Sequence, residues 1–389
     1  MPVTARRTFL GATGLLVLKP ETVFGTQANS ALEIGIIGCG GRGTYIGGFF
    51  REYTGARIVA LHDPFPDRLE EIQQKLKLSG PRLYRGLEGY RDLVASRLDA
   101  VVIESPPYFH PEQAEAAVAA GKHVFLAKPV AVDVSGCLRI REAGQRARGK
   151  LSFLVDFQTR AQPAFQEAAR RVHEGAIGTL VMGHVYYHTG RLRPRSKPGM
   201  LPDEARLRDW VFDKVLSGDI IVEQHIHVLD VANWYTRAHP LRAFGTGGRK
   251  ARTDVGDCWD HFLVQYWYPN EVRVDFSSNQ FLKGFHDMCI RFYGTAGTVD
   301  SHYGGYVRIT GDNPWPGVEK DDTFREGAIN NVKHFVESIR TGNYLNNAEE
   351  AVESNLTSIL GRMAAYQERI VTWDEMMRSG EKLEARLKV

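Results

Sequence analysis

The sequence lacks the features that mark several large classes of protein. Its four cysteines, Cys39, Cys137, Cys258 and Cys289, are far apart and form no CxxC pair, which argues against a dense disulfide framework. We expect them to be buried apolar residues rather than metal ligands. The 49 basic and 46 acidic residues leave a formal charge of only +3, so nothing indicates a nucleic-acid partner. What is present is 389 residues with 43% hydrophobic content, which is more than one core usually takes and predicts two domains.

Residues 1–30 differ from the rest of the chain and predict an export signal. Arg6 and Arg7 open a short apolar run that ends at Leu18, a pattern typical of the twin-arginine route. The run is too short to span a bilayer, so we expect no membrane anchor beyond the signal. This interpretation predicts a periplasmic or otherwise exported protein. A disordered leader on a cytoplasmic protein is the alternative.

A glycine-rich turn follows the first strand-like segment. The apolar run 32–37 leads into Gly38-Cys39-Gly40-Gly41-Arg42-Gly43, which satisfies the pattern G-x-G-x-x-G. The first glycine allows the tight turn, the second lets the backbone approach a pyrophosphate, and the third lets the next helix pack on the strand. Amide groups at the start of that helix then face the phosphate charge. The residues that we predict to bind a dinucleotide here are Gly38, Gly40, Gly41, Arg42 and Gly43.

An acidic residue stands where a ribose-binding group belongs. The strand-like run 57–62 ends at Asp63, which lies 20 residues beyond Gly43. A carboxylate at this position binds the free 2'-hydroxyl of NAD and repels the 2'-phosphate of NADP. Asp63 therefore favours NAD over NADP. The alternative is that Asp63 caps a helix before Pro64.

Two later strand-like segments end in residues of chemical interest. The segment 99–104 runs into Ser105-Pro106-Pro107, with His110 shortly after it. The segment 121–127 ends at Lys128 and Pro129. A lysine after a strand at the carboxyl edge of a doubly wound sheet opens into the cofactor crevice.

These motifs together resemble the Gfo/Idh/MocA family, which includes glucose-fructose oxidoreductase and inositol dehydrogenase. The likeness rests on the glycine fingerprint, the Ser-Pro-Pro strand end with its histidine, and Gly-Lys-His-Val followed by Lys-Pro. The family's usual pattern around the lysine is Glu-Lys-Pro, and this chain has Ala127 in place of the glutamate. The departure removes a carboxylate beside the cofactor, so we expect the orientation or the pKa of Lys128 to differ from the family's.

The resemblance implies a fold, a cofactor and an assembly. The implied fold is an N-terminal Rossmann domain with a doubly wound parallel sheet, followed by a domain with a large open, mostly antiparallel sheet. The implied cofactor is tightly held NAD, with Ser105, Pro106, His110 and Lys128 added to its site. In relatives the outer face of the second sheet forms the subunit interface, which implies a homodimer or homotetramer. Pro129 is expected to follow a cis peptide bond, as in relatives.

The second half of the chain carries a segment, 218–230, that fits the family's acid-x-x-x-His-x-x-Asp pattern. On a helix, Glu223, His227 and Asp230 fall at i, i+4 and i+7, on one face. Glu223 would then fix the tautomer of His227, whose other nitrogen takes a proton from a substrate hydroxyl. A structural histidine is the alternative. His225 would point nearly the opposite way, so a zinc site made of these groups is not favoured and we predict no metal.

Lys128 is the predicted cation of the site. Its ammonium would hydrogen-bond the substrate hydroxyl, stabilise developing alkoxide and relay the proton to His227, while hydride passes to the nicotinamide. A surface lysine before a proline is the alternative. The residues predicted to bind substrate are Gln158, Arg160, His225 and Asp230. Gln158 and Arg160 are assigned from the resemblance, with a surface ion pair as the alternative for Arg160.

The remaining sequence predicts strands and then helices. The helical pattern covers 330–370, with a capped start at Asn347. The predicted strands are 178–188, 241–247, 260–268, 272–280, 287–294 and 297–302. The predicted divisions are a leader (1–30), a Rossmann domain (31–155), a substrate-binding and oligomerisation domain (156–330), and helices that pack back on the core (331–389).

Three functions of different classes remain open. The first is an NAD-dependent oxidoreductase that moves hydride between a sugar or cyclitol hydroxyl and bound nicotinamide, with Lys128 and His227 as acid and base. The second is an NAD-dependent glycoside hydrolase that works by transient oxidation and elimination, with the same residues and no net redox change. The third is a catalytically silent dinucleotide-binding protein, against which the complete set of Lys128, His227 and Glu223 argues.

Overall fold

The computed structural model of the protein describes residues 31–320 and 322–387, which contain two sheets. The predicted leader, residues 1–30, lies outside the described residues. Within the described part of the chain, no helix combines the length and the apolar character that crossing a membrane requires. All four cysteines are buried and none forms a disulfide.

The first sheet holds six parallel strands in the order β3-β2-β1-β4-β5-β6. The prediction of a doubly wound parallel sheet is confirmed. Its central strands are apolar throughout because both faces are covered: Val102 packs into one cluster, while Val101 and Ile103 pack into another. The strands are β1 Glu33–Ile37, β2 Arg57–His62, β3 Arg82–Tyr84, β4 Ala100–Ile103, β5 His123–Ala127 and β6 Phe153–Asp156.

Helices connect these strands. The glycine turn leads directly into the first of them, as the fingerprint predicts. The connecting helices are α1 Gly41–Phe49, α2 Pro66–Leu76, α3 Tyr90–Ala95, α4 His110–Ala119 and α5 Val134–Ala147.

The second sheet has nine strands in the order β14-β13-β12-β11-β7-β10-β9-β8-β15. Only the β7–β10 pair is parallel, so the prediction of a mostly antiparallel sheet is confirmed. The six predicted strands are present, and β13, β14 and β15 were not predicted. The strands are β7 Leu180–Gly190, β8 Arg242–Gly248, β9 His261–Trp267, β10 Arg273–Leu282, β11 Asp287–Gly294, β12 Gly297–His302, β13 Val307–Gly311, β14 Trp315–Val318 and β15 Val371–Thr372.

The described part of the chain contains eight further α-helices. The predicted helical pattern 330–370 is divided in two at residues 342–347. The second of its helices starts at Ala348, but the side chain of Asn347 bonds the backbone of Val155 instead of capping it. The helices are α6 Pro163–His173, α7 Pro202–Arg208, α8 Lys214–Ser217, α9 Ile220–Glu223, α10 Ile226–Thr236, α11 Ala328–Thr341, α12 Ala348–Gln367 and α13 Trp373–Ser379.

Helix α11 covers part of the first sheet. Phe335 packs edge-on against Phe50 and Phe125, with ring centroids 6.1 and 5.5 Å away. Val332 and Ile329 belong to the same apolar cluster as β1. One face of the first sheet is therefore covered by α11, a helix from a much later part of the chain.

The prediction of one continuous helix through 223–230 is wrong. Helix α9 ends at Glu223 and α10 begins at Ile226. Between them the N–H of His225 bonds the carbonyl of Ile220, five residues back rather than four, which widens the turn. The i, i+4, i+7 relation therefore does not hold across this segment, because it requires an uninterrupted helical repeat.

Candidate active site

The glycine turn is built for close backbone approach. Gly38 has φ +89°, and a Cβ there would lie 2.5 Å from the backbone of Glu104 and Ser105. A Cβ on Gly43 would overlap the carbonyl oxygen of Gly38, so α1 can pack on β1 only with glycine at that position. No side chain caps the start of α1 and no acidic residue occupies its first turn, which leaves its amides facing an anion site. These features fit the diphosphate of a dinucleotide.

Asp63 braces this turn from the end of β2. Its Oδ2 accepts a hydrogen bond from the Cys39 amide at 2.9 Å, and its Oδ1 accepts one from the Phe65 amide at 2.9 Å. Burial raises the pKa of Asp63 above its ordinary value. Helix α2 begins at Pro66 and its N-cap residue is Phe65, so the alternative of Asp63 as the helix cap is not supported.

A cavity of about 290 Å³ lies over the turn and is the candidate dinucleotide crevice. It is lined by seven of the residues predicted to bind the cofactor. Those seven are Gly38, Gly40, Gly41, Arg42, Asp63, Ser105 and Pro106.

A second cavity, of about 260 Å³, shares a wall with the first. It holds the three predicted catalytic residues, Lys128, Glu223 and His227. Arg42, Glu104, Ser105 and Trp210 line both cavities. We call the second space the catalytic cavity. The crevice and the site of Lys128 therefore adjoin each other.

Lys128 projects into the catalytic cavity from the end of β5. Its Nζ donates to the backbone carbonyl of Glu223 at 2.5 Å and lies 3.9 Å from the Glu223 Oε1 atom. Burial lowers the pKa of Lys128, and the negative charge of Glu223 opposes part of that effect. The peptide bond between Lys128 and Pro129 is cis, as the resemblance implies. The alternative of a surface lysine is wrong, because only 16% of the side chain is exposed.

His227 also lines the catalytic cavity, from the start of α10. Its ring stacks on Tyr303 with centroids 5.0 Å apart and an interplanar angle of 22°, and its edge faces Phe157. Its Nδ1 is enclosed and has no hydrogen-bond partner among the described residues. Burial lowers the pKa of His227 well below its ordinary value, which keeps the ring neutral.

The predicted pairing of Glu223 with His227 is wrong. The carboxylate of Glu223 faces Lys128, and the break after α9 removes the helical spacing that would have brought it to the histidine. His227 is held instead by ring stacking on Tyr303. Glu223 therefore acts on the charge of Lys128 rather than on the tautomer of His227.

Arg160 and Asp230 do not face the catalytic cavity as predicted. They form a bidentate ion pair, with both N–O distances 2.9 Å, and Asp230 is 1% exposed. Ser354 donates a third hydrogen bond to Asp230, and the guanidinium of Arg160 lies over the Trp234 ring. Because these partners satisfy both groups, the pair serves to hold α10, and the prediction of substrate contacts is not supported.

Three other predicted residues have distinct environments. Gln158 lines the catalytic cavity, accepts from the Tyr303 hydroxyl at 2.5 Å and donates to the Phe324 carbonyl. The two ring nitrogens of His110 lie 2.8 Å from the carbonyl oxygens of Pro129 and Ser105, so the ring sits between the loops that follow β4 and β5. His225 is fully buried and stacked on Tyr187, away from both cavities, which argues against direct substrate contact.

The four groups that could form a zinc site, Glu223, His225, His227 and Asp230, do not converge. Asp230 is bonded to Arg160, Glu223 faces Lys128, and the two histidines stack on different tyrosines. No metal-ligand grouping forms at this position within the described residues.

Several residues that line the catalytic cavity were not found from the sequence. Their contributions come from segments far apart in the chain, and no local motif marks them. They are Glu104, Asp156, Tyr187, Trp210, Tyr303 and Phe324.

Two sequence models of one family match the two domains. Residues 32–154 match the model described as an oxidoreductase family with an NAD-binding Rossmann fold, and residues 165–300 match the GFO/IDH/MocA C-terminal domain. The chain belongs to the Gfo/Idh/MocA family, and its first domain is an NAD-binding Rossmann domain.

Curated relatives include inositol dehydrogenases. The chain is 27% identical over 247 residues to inositol 2-dehydrogenase of Acidothermus cellulolyticus, covering 63% of this chain and 65% of that protein. It is 33% identical over 198 residues to the enzyme of the same name from Gluconacetobacter diazotrophicus, covering 49% and 57%. The matched regions thus span less than two thirds of these relatives.

Solved structures share the fold over nearly the whole chain. Aldose-aldose oxidoreductase from Caulobacter crescentus, complexed with glycerol, superposes with a TM-score of 0.72 at 20% identity, covering 88% of this chain and 100% of that one. The scyllo-inositol dehydrogenase from Lactobacillus casei, with bound NAD(H) and scyllo-inositol, gives a TM-score of 0.70 at 20% identity, covering 89% and 100%.

Proposed function

We propose that the protein is an NAD-dependent oxidoreductase that oxidises a secondary hydroxyl of a cyclitol or sugar, or reduces the matching ketone. One observation carries the proposal: Lys128 and His227 line a cavity that adjoins the crevice above the glycine turn. The names of the relatives, which are polyol dehydrogenases and a sugar oxidoreductase, support the substrate class.

Each side chain has a task in this chemistry. Lys128 hydrogen-bonds the hydroxyl oxygen and stabilises the negative charge that develops on it. Burial lowers the pKa of Lys128, which eases loss of its proton, while the nearby Glu223 carboxylate keeps it charged in the resting site. Bound NAD supplies the acceptor for the hydride.

His227 is the proton acceptor in this proposal. Its ring is neutral because burial lowers its pKa, and its Nδ1 has no partner among the described residues. The stack on Tyr303 fixes the plane of the ring, so that a nitrogen can be presented to a bound polyol. Gln158, held by Tyr303, adds a polar group to the same wall.

The test uses the purified full chain. Retained dinucleotide is extracted by denaturation and identified as NAD or NADP, and the folded protein is incubated with polyols, free sugars and aryl glycosides. We expect NAD in the extract and reduced nicotinamide formed from a free polyol or sugar, with Lys128→Met as the inactive control. Release of a phenol without lasting reduction would replace the proposal with redox-neutral glycoside cleavage. Dinucleotide binding without turnover of any substrate would indicate a catalytically silent dinucleotide-binding protein.

We also propose self-association through the second sheet. Met182 on β7, Phe244 on β8 and Leu263 on β9 are exposed on the same face of the second sheet, whereas the other face is buried. Light scattering that compares the native chain with the Leu263→Glu variant tests this proposal. The native chain is expected to be a dimer or tetramer and the variant a smaller species.

Export through the twin-arginine route remains a proposal based on Arg6 and Arg7. Fractionation of cells that express the native chain or the Arg6→Lys, Arg7→Lys variant tests it. We expect the native chain in the exported fraction and the variant in the cytoplasm.

A further inference from the structure

Three neighbouring strands of the first sheet end in a row of side chains that the motifs did not reveal. In the strand register Ile103 lies beside Leu126, so Glu104 follows next to Ala127, and Ala127 pairs with Asp156. The side chains at the ends of β4, β5 and β6 therefore carry a carboxyl, a methyl and a carboxyl group, in that order. Ala127, at the centre of the row, stands where the resemblance predicts glutamate. In this chain the carboxyl is found instead at Glu104, at the end of the neighbouring strand β4.

The two carboxyl groups of the row, those of Asp156 and Glu104, differ in their hydrogen bonds. Asp156 receives the Arg42 guanidinium and the Asn331 amide, the latter at 2.8 Å. The side chain of Glu104 is 0% exposed, and neither of its carboxyl oxygens has a hydrogen-bond partner among the described residues. Its nearest charge is the Arg42 Nε atom, 3.8 Å away, which is beyond hydrogen-bond distance.

An enclosed carboxyl without hydrogen bonds is costly if it serves only the fold. Leaving such a group unsatisfied destabilises a protein by more than an apolar residue of the same shape would. No local packing need explains a glutamate at this strand end, because β4 is otherwise wholly apolar. A role in the adjoining site is the remaining explanation for its presence.

The position of Glu104 points to that role. Residue 104 borders both the dinucleotide crevice and the catalytic cavity. Any dinucleotide whose diphosphate lies at the glycine turn and whose reactive end lies near Lys128 must pass over this strand end. The carboxyl itself is enclosed, so its influence on a ligand acts through space.

The charged groups that face Glu104 are few. Arg42 comes from α1, Asp156 from β6, and Lys128 from the end of β5. Arg42 and Asp156 neutralise each other as an ion pair. Burial raises the pKa of Glu104 to about 8, so the carboxyl is neutral near pH 7 and ionised in mildly alkaline solution.

We propose that Glu104 supplies, from β4, the negative charge that Ala127 cannot supply, and that it sets the preference of the site between the oxidised and reduced forms of the dinucleotide. The nicotinamide ring is cationic when oxidised and neutral when reduced. An ionised carboxylate close to that ring stabilises only the oxidised form, whereas the protonated acid stabilises neither by charge. By linkage, binding of the oxidised form releases a proton from Glu104. This inference rests on the proposed function, since it needs NAD in the crevice.

The experiment measures equilibrium binding rather than turnover. Dissociation constants for NAD+ and NADH are determined by calorimetry on the purified full chain, freed of retained dinucleotide, at about pH 6.5 and about pH 9.5. We expect the preference for NAD+ over NADH to rise on the order of tenfold between the two pH values. In Glu104→Gln, which keeps the shape but cannot ionise, the preference should stay constant within about twofold. Exposed Glu70→Gln on α2 is the matched control and should behave like the native chain.

A second variant moves the charge instead of removing it. In Glu104→Ala, Ala127→Glu the carboxyl stands at the end of β5, next to the positive charge of Lys128, which is expected to keep it ionised. The double variant should therefore favour NAD+ at both pH values, as the native chain does only at the higher one. Melting curves for each variant confirm that it is folded.

The outcomes separate this inference from the proposed function. A pH-dependent preference that persists in Glu104→Gln would assign the effect to Lys128, whose pKa is also lowered, and would overturn the inference alone. Dinucleotide binding with no pH-dependent preference in the native chain would do the same. Absence of any dinucleotide binding would overturn the proposed function together with the inference.

Discussion

The two adjoining cavities are built in different ways. The dinucleotide crevice is lined mainly by one stretch of chain, residues 38–113, in which each strand end follows the last in sequence order. The catalytic cavity draws its walls from segments as distant as Arg42 and Phe324. The crevice therefore depends on backbone shape at a few glycines, whereas the catalytic cavity depends on buried ionisable side chains that only the complete fold brings together. Substitutions in the two regions should damage different steps.

Loss of Lys128 should give the largest effect and separate the regions most clearly. In Lys128→Ala we expect turnover to fall on the order of 10³-fold, because the group that stabilises the developing charge is gone. NADH affinity should change by less than about threefold, since the glycine turn is untouched. Steady-state kinetics and fluorescence titration measure the two quantities. Lys128→Arg, which keeps the charge, is the matched variant, and native turnover in Lys128→Ala would show that the cavity is not the reaction site.

His227→Phe should lower turnover by about 10²-fold while keeping the ring stack on Tyr303. The neutral ring is the active form, and burial lowers its pKa, so the native enzyme should stay active below the ordinary pKa of histidine, about 6.5. The acid limb of the rate profile should lie below that value and disappear from the residual activity of the variant. An acid limb that is unchanged in His227→Phe would assign it to another group.

The third prediction concerns the ion pair that was expected to bind substrate. Asp230→Asn should reduce the free energy of unfolding by about 3 kcal/mol, because it removes the buried countercharge of the partly buried Arg160 guanidinium. The double variant Arg160→Met, Asp230→Leu should recover part of the loss. Urea denaturation measures both. A large rise in KM with unchanged stability would restore the interpretation of these residues as substrate ligands.

The smallest expected effect lies in the crevice. Asp63→Asn should weaken NAD binding by about tenfold and reduce its preference over NADP, since a neutral amide no longer repels the 2'-phosphate. Turnover at saturating NAD should change little. Dissociation constants for the two dinucleotides test this, and an unchanged NAD to NADP ratio would remove Asp63 from cofactor selection.

The same contrast explains how much could be predicted from the sequence. The crevice was predictable because Gly38, Gly43 and Asp63 act within one strand-helix-strand unit whose spacing is set by local geometry. Lys128 was predictable for a similar reason, since it directly follows a strand. The strand-like apolar segments likewise predicted six of the nine strands of the second sheet.

The catalytic cavity was only partly predictable. The helical spacing of Glu223 and His227 failed because one hydrogen bond, from the His225 amide to the Ile220 carbonyl, widens the turn between them. Tyr303, which orients His227, lies just after β12 and has no sequence relation to the histidine. Glu104 was visible as a charged residue at the end of an apolar strand, but its neighbours Ala127 and Asp156 become apparent only from strand register.

The packing of Phe335 against Phe50 and Phe125 bears on how the protein is made. A ribosome that has just released the sixth strand of the first sheet must still translate α11, which at roughly 5–20 residues per second takes on the order of 10 s or more. During that interval the apolar surface around Phe125 has no cover from its own chain. Nascent chains stalled before residue 328 should therefore hold chaperones longer than chains stalled after residue 341, and the dinucleotide site should mature late in synthesis.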